Sequence, residues 1–243
     1  MQTLTLDLTV GELAVQVPAS IRVFQKYRID FCCGGETPLT EACRQHGLET
    51  TSVLREIENE SQRSSDAGSD RDWAGASLQS LIDHIVGTHH VYVRTNLPRI
   101  QEMLDKVRAN HSERHGDMLT RVNEVFSALS EELAAHLMKE ERILFPLVAG
   151  MEEARRNGRQ PAPSHCGSVA NPIRVMCMEH DSAGEALARL RDLTADFTPP
   201  AEVCPTFRAL FYELAELERD LHRHIHLENN ILFPRAMALE SAA

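Results

Sequence analysis

Two stretches of this sequence share one pattern, HLMKEERILFP at residues 136–146 and HIHLENNILFP at residues 224–234. Six of their eleven positions are identical, in the order H-x-x-x-E-x-x-I-L-F-P. Residues four apart lie on the same face of an α-helix, so each stretch predicts a helix with a histidine and a glutamate on one face. The repeat therefore predicts two related helices of a four-helix bundle.

A single histidine accompanies each repeat. His90 and His180 lie 90 residues apart, close to the 88-residue spacing of the two stretches, and each falls in a further helical pattern. We therefore expect four long helices, with a kink in the first at Pro98. The predicted helices run over residues 77–110, 115–150, 171–197 and 205–238.

The apolar residues of these helices recur in steps of three and four, which is the spacing of a buried helix face. The same phase places Ile143 in the core. Six polar residues share that phase and are also predicted to be buried: His90, His136, Glu140, His180, His224 and Glu228. A buried carboxylate is costly unless it is paired. Two metal ions would compensate the set, and histidine nitrogens with carboxylates and open positions suit iron.

Other interpretations of these residues remain open from the sequence alone. A lone histidine on an apolar face is more often a core residue than a ligand, and one H-x-x-x-E pair is commonly exposed. A single structural zinc is disfavoured because six ligands exceed its usual four. The other histidines, including His89, His222 and His226, are expected on the surface or around the ligands.

Composition and charge exclude several classes of protein. The 243 residues carry a net charge of -11, so phosphate backbones would repel the chain and we expect no nucleic-acid partner. No stretch reaches the roughly 20 apolar residues of a membrane helix, and the start has no basic segment followed by an apolar core. We therefore expect a cytoplasmic protein without a membrane partner, in which the six cysteines are free thiols.

The N-terminal part predicts a small helical domain over residues 1–60. Thr9 and Glu12 have the spacing of a capping box at the start of a first helix. A polar, serine-rich stretch then predicts a linker over residues 61–74, which leaves 75–243 for the bundle. Further short helices are expected over residues 18–28, 39–46 and 52–60.

Adjacent cysteines, Cys32 and Cys33, lie in a predicted turn, DFCCGGETP. A disulfide between neighbours is strained, so a static bridge is not expected. One interpretation is a mobile thiol pair that binds iron or nitric oxide or passes electrons. The other is a turn in which two small residues pack.

The repeat and the stretch YRIDFCCGG at residues 27–35 together resemble the repair-of-iron-centres family of iron–sulfur cluster repair proteins. The resemblance covers nearly the whole chain. It implies an all-α fold, in which a haemerythrin-like, up-down-up-down four-helix bundle follows a small helical domain. It also implies two non-haem iron ions, held by the four histidines and joined by an oxo or hydroxo group and by the carboxylates of Glu140 and Glu228.

The function implied by this resemblance is repair of iron–sulfur clusters damaged by nitric oxide or peroxide, by supplying iron. Damaged iron–sulfur proteins and nitric oxide would be the partners, and Cys32 and Cys33 would be functional thiols. Glu132 and Glu179 would line a polar path for iron or small ligands, although a solvated helix residue is the simpler interpretation of Glu132.

Three alternative functions remain open. The protein could be a haemerythrin-like sensor or scavenger of nitric oxide or oxygen, or, as the less favoured enzymatic alternative, a di-iron nitric oxide reductase. A bundle without metal is the third, and the buried histidine and glutamate layer argues against it. A homodimer is an open alternative to a monomer.

Overall fold

The computed structural model describes residues 8–65, 72–160 and 166–241. Within these residues every regular element is a helix, apart from an isolated antiparallel bridge between Thr9 and Pro38. The all-α prediction is therefore confirmed. No helix in the described part of the chain is both long and apolar enough to cross a membrane.

The described helices include three short π-helical turns, which have one more residue per turn than an α-helix. The α-helices are α1 (Val10–Gln16), α2 (Ser20–Tyr27), α3 (Leu39–Gln45), α4 (Thr50–Ser65), α5 (Leu78–His84), α6 (Val91–Lys139), α7 (Phe145–Arg156), α8 (Ala170–Leu193), α9 (Pro205–Leu227) and α10 (Phe233–Ser241). The π-helical turns are π1 (Ile85–His90), π2 (Glu140–Leu144) and π3 (Glu228–Leu232).

The described residues form two compact units. One contains those within Met1–Ile82 and His222–Ala243, and the other those within Asp83–Leu221. The domain limits expected from the sequence cut the chain differently, and they stay a prediction.

The first unit begins with the predicted capping box. The Thr9 hydroxyl accepts the Glu12 N–H, and the Glu12 carboxylate accepts the Thr9 N–H. Apolar faces of α1 to α4 then enclose a small core around Phe24 and Phe31, which Ile225 from the C-terminal part of the chain completes. The small helical N-terminal region is confirmed.

Helix α4 is longer than the sequence predicted. It continues to Ser65, so the first residues of the predicted linker over 61–74 are helical. The next part of that linker, residues 66–71, lies outside the described residues. The polar, serine-rich composition therefore placed the end of the helix too early, and the linker itself stays a prediction.

The second unit is a bundle of four long helical stretches. α6 contains the first two, because its backbone leaves helical angles at His111, where φ is -129° and ψ is 16°. The angles at Pro98 stay helical, so the interruption lies at His111 instead. Apolar side chains of both parts of α6, of α8 and of α9 bury one continuous core, with Phe126, Phe207 and Phe211 among its largest members. The predicted helical bundle is confirmed.

The π turns explain one wrong prediction. π2 adds a residue after Glu140, and the helix phase shifts from there on. Ile143, expected in the core, is 38% exposed, whereas Leu144 is 1% exposed. The regular steps of three and four can therefore fail where a π turn interrupts the α-helix.

A buried ion pair lies near the C-terminus of α8. Arg191 contacts both carboxylate oxygens of Glu218, which is 3% exposed, and also the carboxylate of Asp196. Burial alone would lower the pKa of Arg191, but Glu218 and Asp196 outweigh burial and raise it. α8 ends at Leu193, earlier than predicted, because residues 195–197 adopt left-handed backbone angles.

Candidate metal centre

Glu140 lies at the centre of the polar cluster in the second unit. Its side chain is fully buried at the first position of π2, directly after α6. His90 Nε2 is 3.3 Å from Glu140 Oε2, and His136 Nε2 is 3.3 Å from Glu140 Oε1. One carboxylate thus lies between imidazoles from two helical stretches that are separated by 46 residues in sequence.

His180 on α8 joins the same cluster. Its Nε2 lies 3.2 Å from His136 Nε2, and the two rings meet edge to face. The ligand atoms of His136, Glu140 and His180 all lie within 4.8 Å of one another. The structure therefore brings together four of the six residues predicted to bind metal, each at most 4% exposed.

The remaining two predicted ligands, His224 and Glu228, belong to the first unit. His224 Nε2 lies 3.1 Å from Glu228 Oε1, with 1% and 0% of the residues exposed. The pair repeats the arrangement of His136 and Glu140, as the matching sequence stretches predicted. The assignment of all six residues as metal ligands stays a prediction.

Both glutamates stand at the first position of a π turn. The N–H of Phe145 donates to the carbonyl of Glu140, and that of Phe233 donates to the carbonyl of Glu228, five residues back in each case. The proline after each phenylalanine would press its ring against the carbonyl four residues back in a regular α-helix. We attribute π2 and π3 to this crowding. The proline at the end of each I-L-F-P stretch is the sequence signal for these two turns.

Two further carboxylates contact the outer nitrogens of these histidines. His90 Nδ1 lies 2.6 Å from Glu141 Oε1, and His136 Nδ1 lies 2.8 Å from Glu179 Oε2. Such contacts fix the ring tautomer, with the proton on Nδ1 and the Nε2 lone pair directed into the cluster. Burial opposes ionisation of Glu141 and Glu179, but hydrogen bonds from their histidines and from Arg94 or Lys139 outweigh it and lower the pKa of both.

The two acidic residues expected beside the ligands have different surroundings. Glu179 contacts His136 and Lys139 and is partly buried. Glu132 is exposed, and its carboxylate accepts a hydrogen bond from Ser182 at 3.2 Å. The simpler interpretation of Glu132, a solvated helix residue, therefore agrees better with its surroundings, and a polar path past it stays a prediction.

The chemistry of the cluster fits a metal ion. Neither oxygen of Glu140 makes a hydrogen bond within the described part of the chain, although both are buried. A buried carboxylate without hydrogen bonds is costly, and a bound cation removes most of that cost. Imidazole nitrogen and carboxylate oxygen together are donors that iron accepts. The histidine and glutamate cluster thus suits iron.

Asp30 organises the loop of the adjacent cysteines. Its carboxylate accepts the N–H groups of Cys32, Cys33 and Gly34 at 3.0, 3.0 and 2.9 Å. The Cys32 thiol lies 3.3 Å from Asp30 Oδ1 and 3.9 Å from Cys33 Sγ, and both cysteines are free thiols. Hydrogen bonding with Cys33, burial and the Asp30 charge raise the pKa of Cys32 well above its usual value. Cys33, which is less buried, is the more accessible thiol.

Two known families match successive parts of this chain. The model of the hemerythrin HHE cation binding domain matches residues 81–236, and a domain of unknown function (DUF542) matches residues 6–61. The iron-sulfur cluster repair protein YtfE of Cronobacter sakazakii is 40% identical over 235 residues, or 96% of this chain and 98% of the relative. This chain belongs to the family of iron–sulfur cluster repair proteins.

Other members of the repair family match over similar lengths. YtfE of Edwardsiella ictaluri is 39% identical, covering 95% of this chain and 97% of the relative. A probable iron-sulfur cluster repair protein of Haemophilus influenzae is 37% identical, with coverages of 94% and 96%. The family resemblance expected from the repeat and the paired cysteines is confirmed.

Two further histidines of this repair-family protein, which were expected on the surface or around the ligands, are buried. His89 Nδ1 lies 2.9 Å from Asp220 Oδ1. His226 is 2% exposed, and its Nδ1 lies 2.8 Å from Asn230 Nδ2. Burial lowers the pKa of His226 to about 4, against the opposing effect of a backbone hydrogen bond with Phe31. Asp220 lies 131 residues from His89, so no sequence signal indicated that contact, whereas Asn230 lies four residues after His226 on the same helix face.

Proposed function

We propose that this protein repairs damaged iron–sulfur clusters by supplying iron from a site built of four histidines and two glutamates. Family membership supports the repair function, because relatives that carry this name match nearly the whole chain. Iron–sulfur proteins with damaged clusters would then be the partners. The hemerythrin cation binding domain supports the iron site, since its match spans all the predicted ligand positions.

The observation that carries the iron site is the environment of Glu140. The carboxylate is fully buried between two imidazoles and makes no hydrogen bond within the described residues. Removing a charge from water in this way is unfavourable without a cation. His180 adds a third imidazole beside those of His90 and His136. A histidine and glutamate pair with only a structural role would not need it.

The site we propose holds two iron ions, one for each repeat. Glu140 and Glu228 would each contribute a carboxylate to both ions, and each ion would take two of the four histidines. The equivalence of the two H-x-x-x-E stretches in sequence and in local geometry supports this count. Bound iron would supply exchangeable ions for a damaged cluster and open coordination positions for a diatomic ligand.

The chain's own residues have three tasks in this proposal. The imidazoles bind through Nε2, and Glu141 and Glu179 keep the Nδ1 protons in place on the opposite side of the rings. Both carboxylates are shielded from water, because Glu140 and Glu228 are each 0% exposed. Cys32 and Cys33 would be the thiols that receive or pass on iron, since thiolates are the ligands of iron–sulfur clusters.

Nitric oxide binding is a second proposed property of the same site. Six protein ligands for two ions leave positions open, and a small neutral molecule could occupy them without displacing a side chain. A scavenging or reductive role would then use the same residues as repair. The homodimer stays a prediction, which sedimentation of the purified protein would test.

The first experiment is a measurement of metal content and Mössbauer spectra on protein from iron-replete cells. We expect about two irons per chain, with the magnetic coupling of a bridged pair. A variant with Glu140→Ala and Glu228→Ala should lose both. The matched control carries Glu124→Ala and Glu131→Ala, which remove two exposed glutamates of α6.

A repair assay completes the test. Iron-loaded protein is mixed with a separate [4Fe–4S] protein whose cluster nitric oxide has damaged, and recovery of the cluster absorbance is followed. The wild type and the control variant should restore the cluster, and the double glutamate variant should not. Zinc as the natural metal, or iron unaffected by the double substitution, would contradict the site, and equal recovery with all three proteins would contradict the function.

A further inference from the structure

The turn that carries Glu228 also touches the cysteine loop. The next two residues of π3, Asn229 and Asn230, donate their side-chain N–H groups to the backbone carbonyls of Cys32 and Phe31, at 3.2 and 2.8 Å. These contacts join positions that are 197 and 199 residues apart in the sequence. The thiol loop, residues 30–35, is thus bonded directly to a turn that begins with a proposed iron ligand.

Close packing reinforces this junction. A Cβ atom added to Gly35 would lie 2.6 Å from Asn230 Oδ1, and one added to Gly11 would lie 2.8 Å from the same oxygen. The Gly11 N–H donates to the Gly35 carbonyl at 2.9 Å. Neither glycine has a positive φ, so each is needed here for space rather than for backbone freedom. The second glycine of the C-C-G-G motif therefore makes room for the side chain of Asn230.

Asp30 ties the backbone of the thiol loop together. Three successive N–H groups, those of Cys32, Cys33 and Gly34, converge on the Asp30 carboxylate. A displacement of the Phe31 or Cys32 carbonyl therefore displaces both thiols. The asparagine amides hold those two carbonyls, so they fix the loop at its centre.

The equivalent positions of the other repeat have a different chemistry. Glu141 and Arg142 follow Glu140, where Asn229 and Asn230 follow Glu228. Glu141 contacts His90 in its own unit. The two positions that reach the cysteine loop are thus among the five at which the two stretches differ, so the contact with the loop belongs to this half of the repeat.

We propose that Asn229 and Asn230 couple metal binding at Glu228 to the reactivity of the Cys32 and Cys33 thiols. The inference rests on the proposed iron site. A metal that fixes the Glu228 carboxylate fixes π3, holds the two amides in place and keeps the thiol loop in its closed form. Loss of the metal frees the turn and opens the loop to reagents. By linkage, a thiol modification that only the open loop accommodates must weaken metal binding.

The test compares thiol alkylation in metal-free protein and in protein loaded anaerobically with Fe²⁺. Iodoacetamide labelling is followed by peptide mass spectrometry, which separates Cys32 and Cys33 from the other cysteines, with Cys166 of the second unit as an internal reference. We expect Fe²⁺ to slow labelling of Cys33 by about fivefold, which corresponds to about 1 kcal/mol, the usual net value of one hydrogen bond. In Asn230→Ala, the ratio of the Cys33 labelling rates without and with Fe²⁺ should fall to about one.

Two variants accompany Asn230→Ala. Asn229→Ala removes the contact with the Cys32 carbonyl and leaves the packed Asn230 in place. It should therefore reduce the ratio of the labelling rates in part, even if Asn230→Ala does not fold. Arg142→Ala is the matched control, because it truncates the equivalent exposed position of the other repeat and should keep the full ratio. Circular dichroism of each variant establishes that it is folded.

The outcomes separate this inference from the proposed function. If folded asparagine variants bind iron and still show full protection, the thiols are shielded in another way, such as direct binding of Fe²⁺, and the coupling is refuted. The coupling is also refuted if wild-type protein binds two irons and Fe²⁺ does not change the labelling rate of Cys33. In that case the proposed repair function still stands. Wild-type protein that binds no iron at the histidines and glutamates refutes the proposed function itself.

Discussion

Glu179 offers a quantitative test of the metal centre. Its carboxylate accepts the Nδ1 proton of His136 at 2.8 Å and also contacts Lys139. A hydrogen bond to a charged acceptor is worth about 1.5–3 kcal/mol net, and one to a neutral acceptor about 0.5–1.5 kcal/mol. Glu179→Gln keeps an acceptor oxygen but loses its charge, so it should cost about 1 kcal/mol of metal binding, or about fivefold in affinity.

Glu179→Ala removes the acceptor entirely. Since the Glu179 side chain is 32% exposed, water can replace part of the lost bond, and we take the lower half of the charged range, about 2 kcal/mol. That corresponds to about a 30-fold loss of affinity, within the about 10- to 100-fold known for partners of metal-bound histidines. The affinity for metal should therefore decrease from wild type to Glu179→Gln to Glu179→Ala. This order follows from the contact between Glu179 and His136, and not from the position of Glu179 in the sequence.

The assay is an anaerobic competition for Fe²⁺ between the full-length protein and a coloured chelator of known affinity. Glu132→Gln and Glu132→Ala serve as the contrast, because Glu132 is exposed and bonds to Ser182 instead. They should change the affinity by less than about twofold. Tight binding by Glu179→Ala, or equal losses at both positions, would refute the assignment of Glu179 as the residue that orients His136.

Four further predictions concern stability. Glu140→Gln should abolish metal binding but raise the melting temperature of the metal-free protein, because burial of a carboxylate costs more free energy than burial of an amide. The melting temperature is measured by calorimetry. A lower value than in the wild type would show that contacts within the protein already compensate the Glu140 charge. Gly35→Ala should destabilise the protein by about 1–3 kcal/mol in urea unfolding, since its Cβ would lie 2.6 Å from a side-chain oxygen. Gly116→Ala, whose Cβ would meet no atom closer than 3.9 Å inside α6, should instead stabilise it by up to about 1 kcal/mol. Arg191→Met should cost about 3 kcal/mol by leaving Glu218 buried and unpaired, and adding Glu218→Gln should recover most of that loss in the same unfolding experiment.

Local regularities in the sequence were sufficient for the fold class and for the candidate ligands. Helix formation and burial follow a period of 3.6 residues, so apolar steps of three and four predicted the bundle, and the two H-x-x-x-E stretches picked out His136, Glu140, His224 and Glu228. The capping box at Thr9 was predictable for the same reason, since its partners lie three residues apart.

Contacts between distant parts of the chain were decided only by the tertiary structure. Glu141 meets His90 across 51 residues, Glu179 meets His136 across 43, and Asn230 meets Phe31 across 199. No periodicity relates such positions, because their distance in space depends on how whole helices pack. The π turns depend on both local and tertiary structure. The prolines indicate from the sequence that the helix is crowded. Packing of the helix decides which side chains become buried, such as Leu144 instead of Ile143.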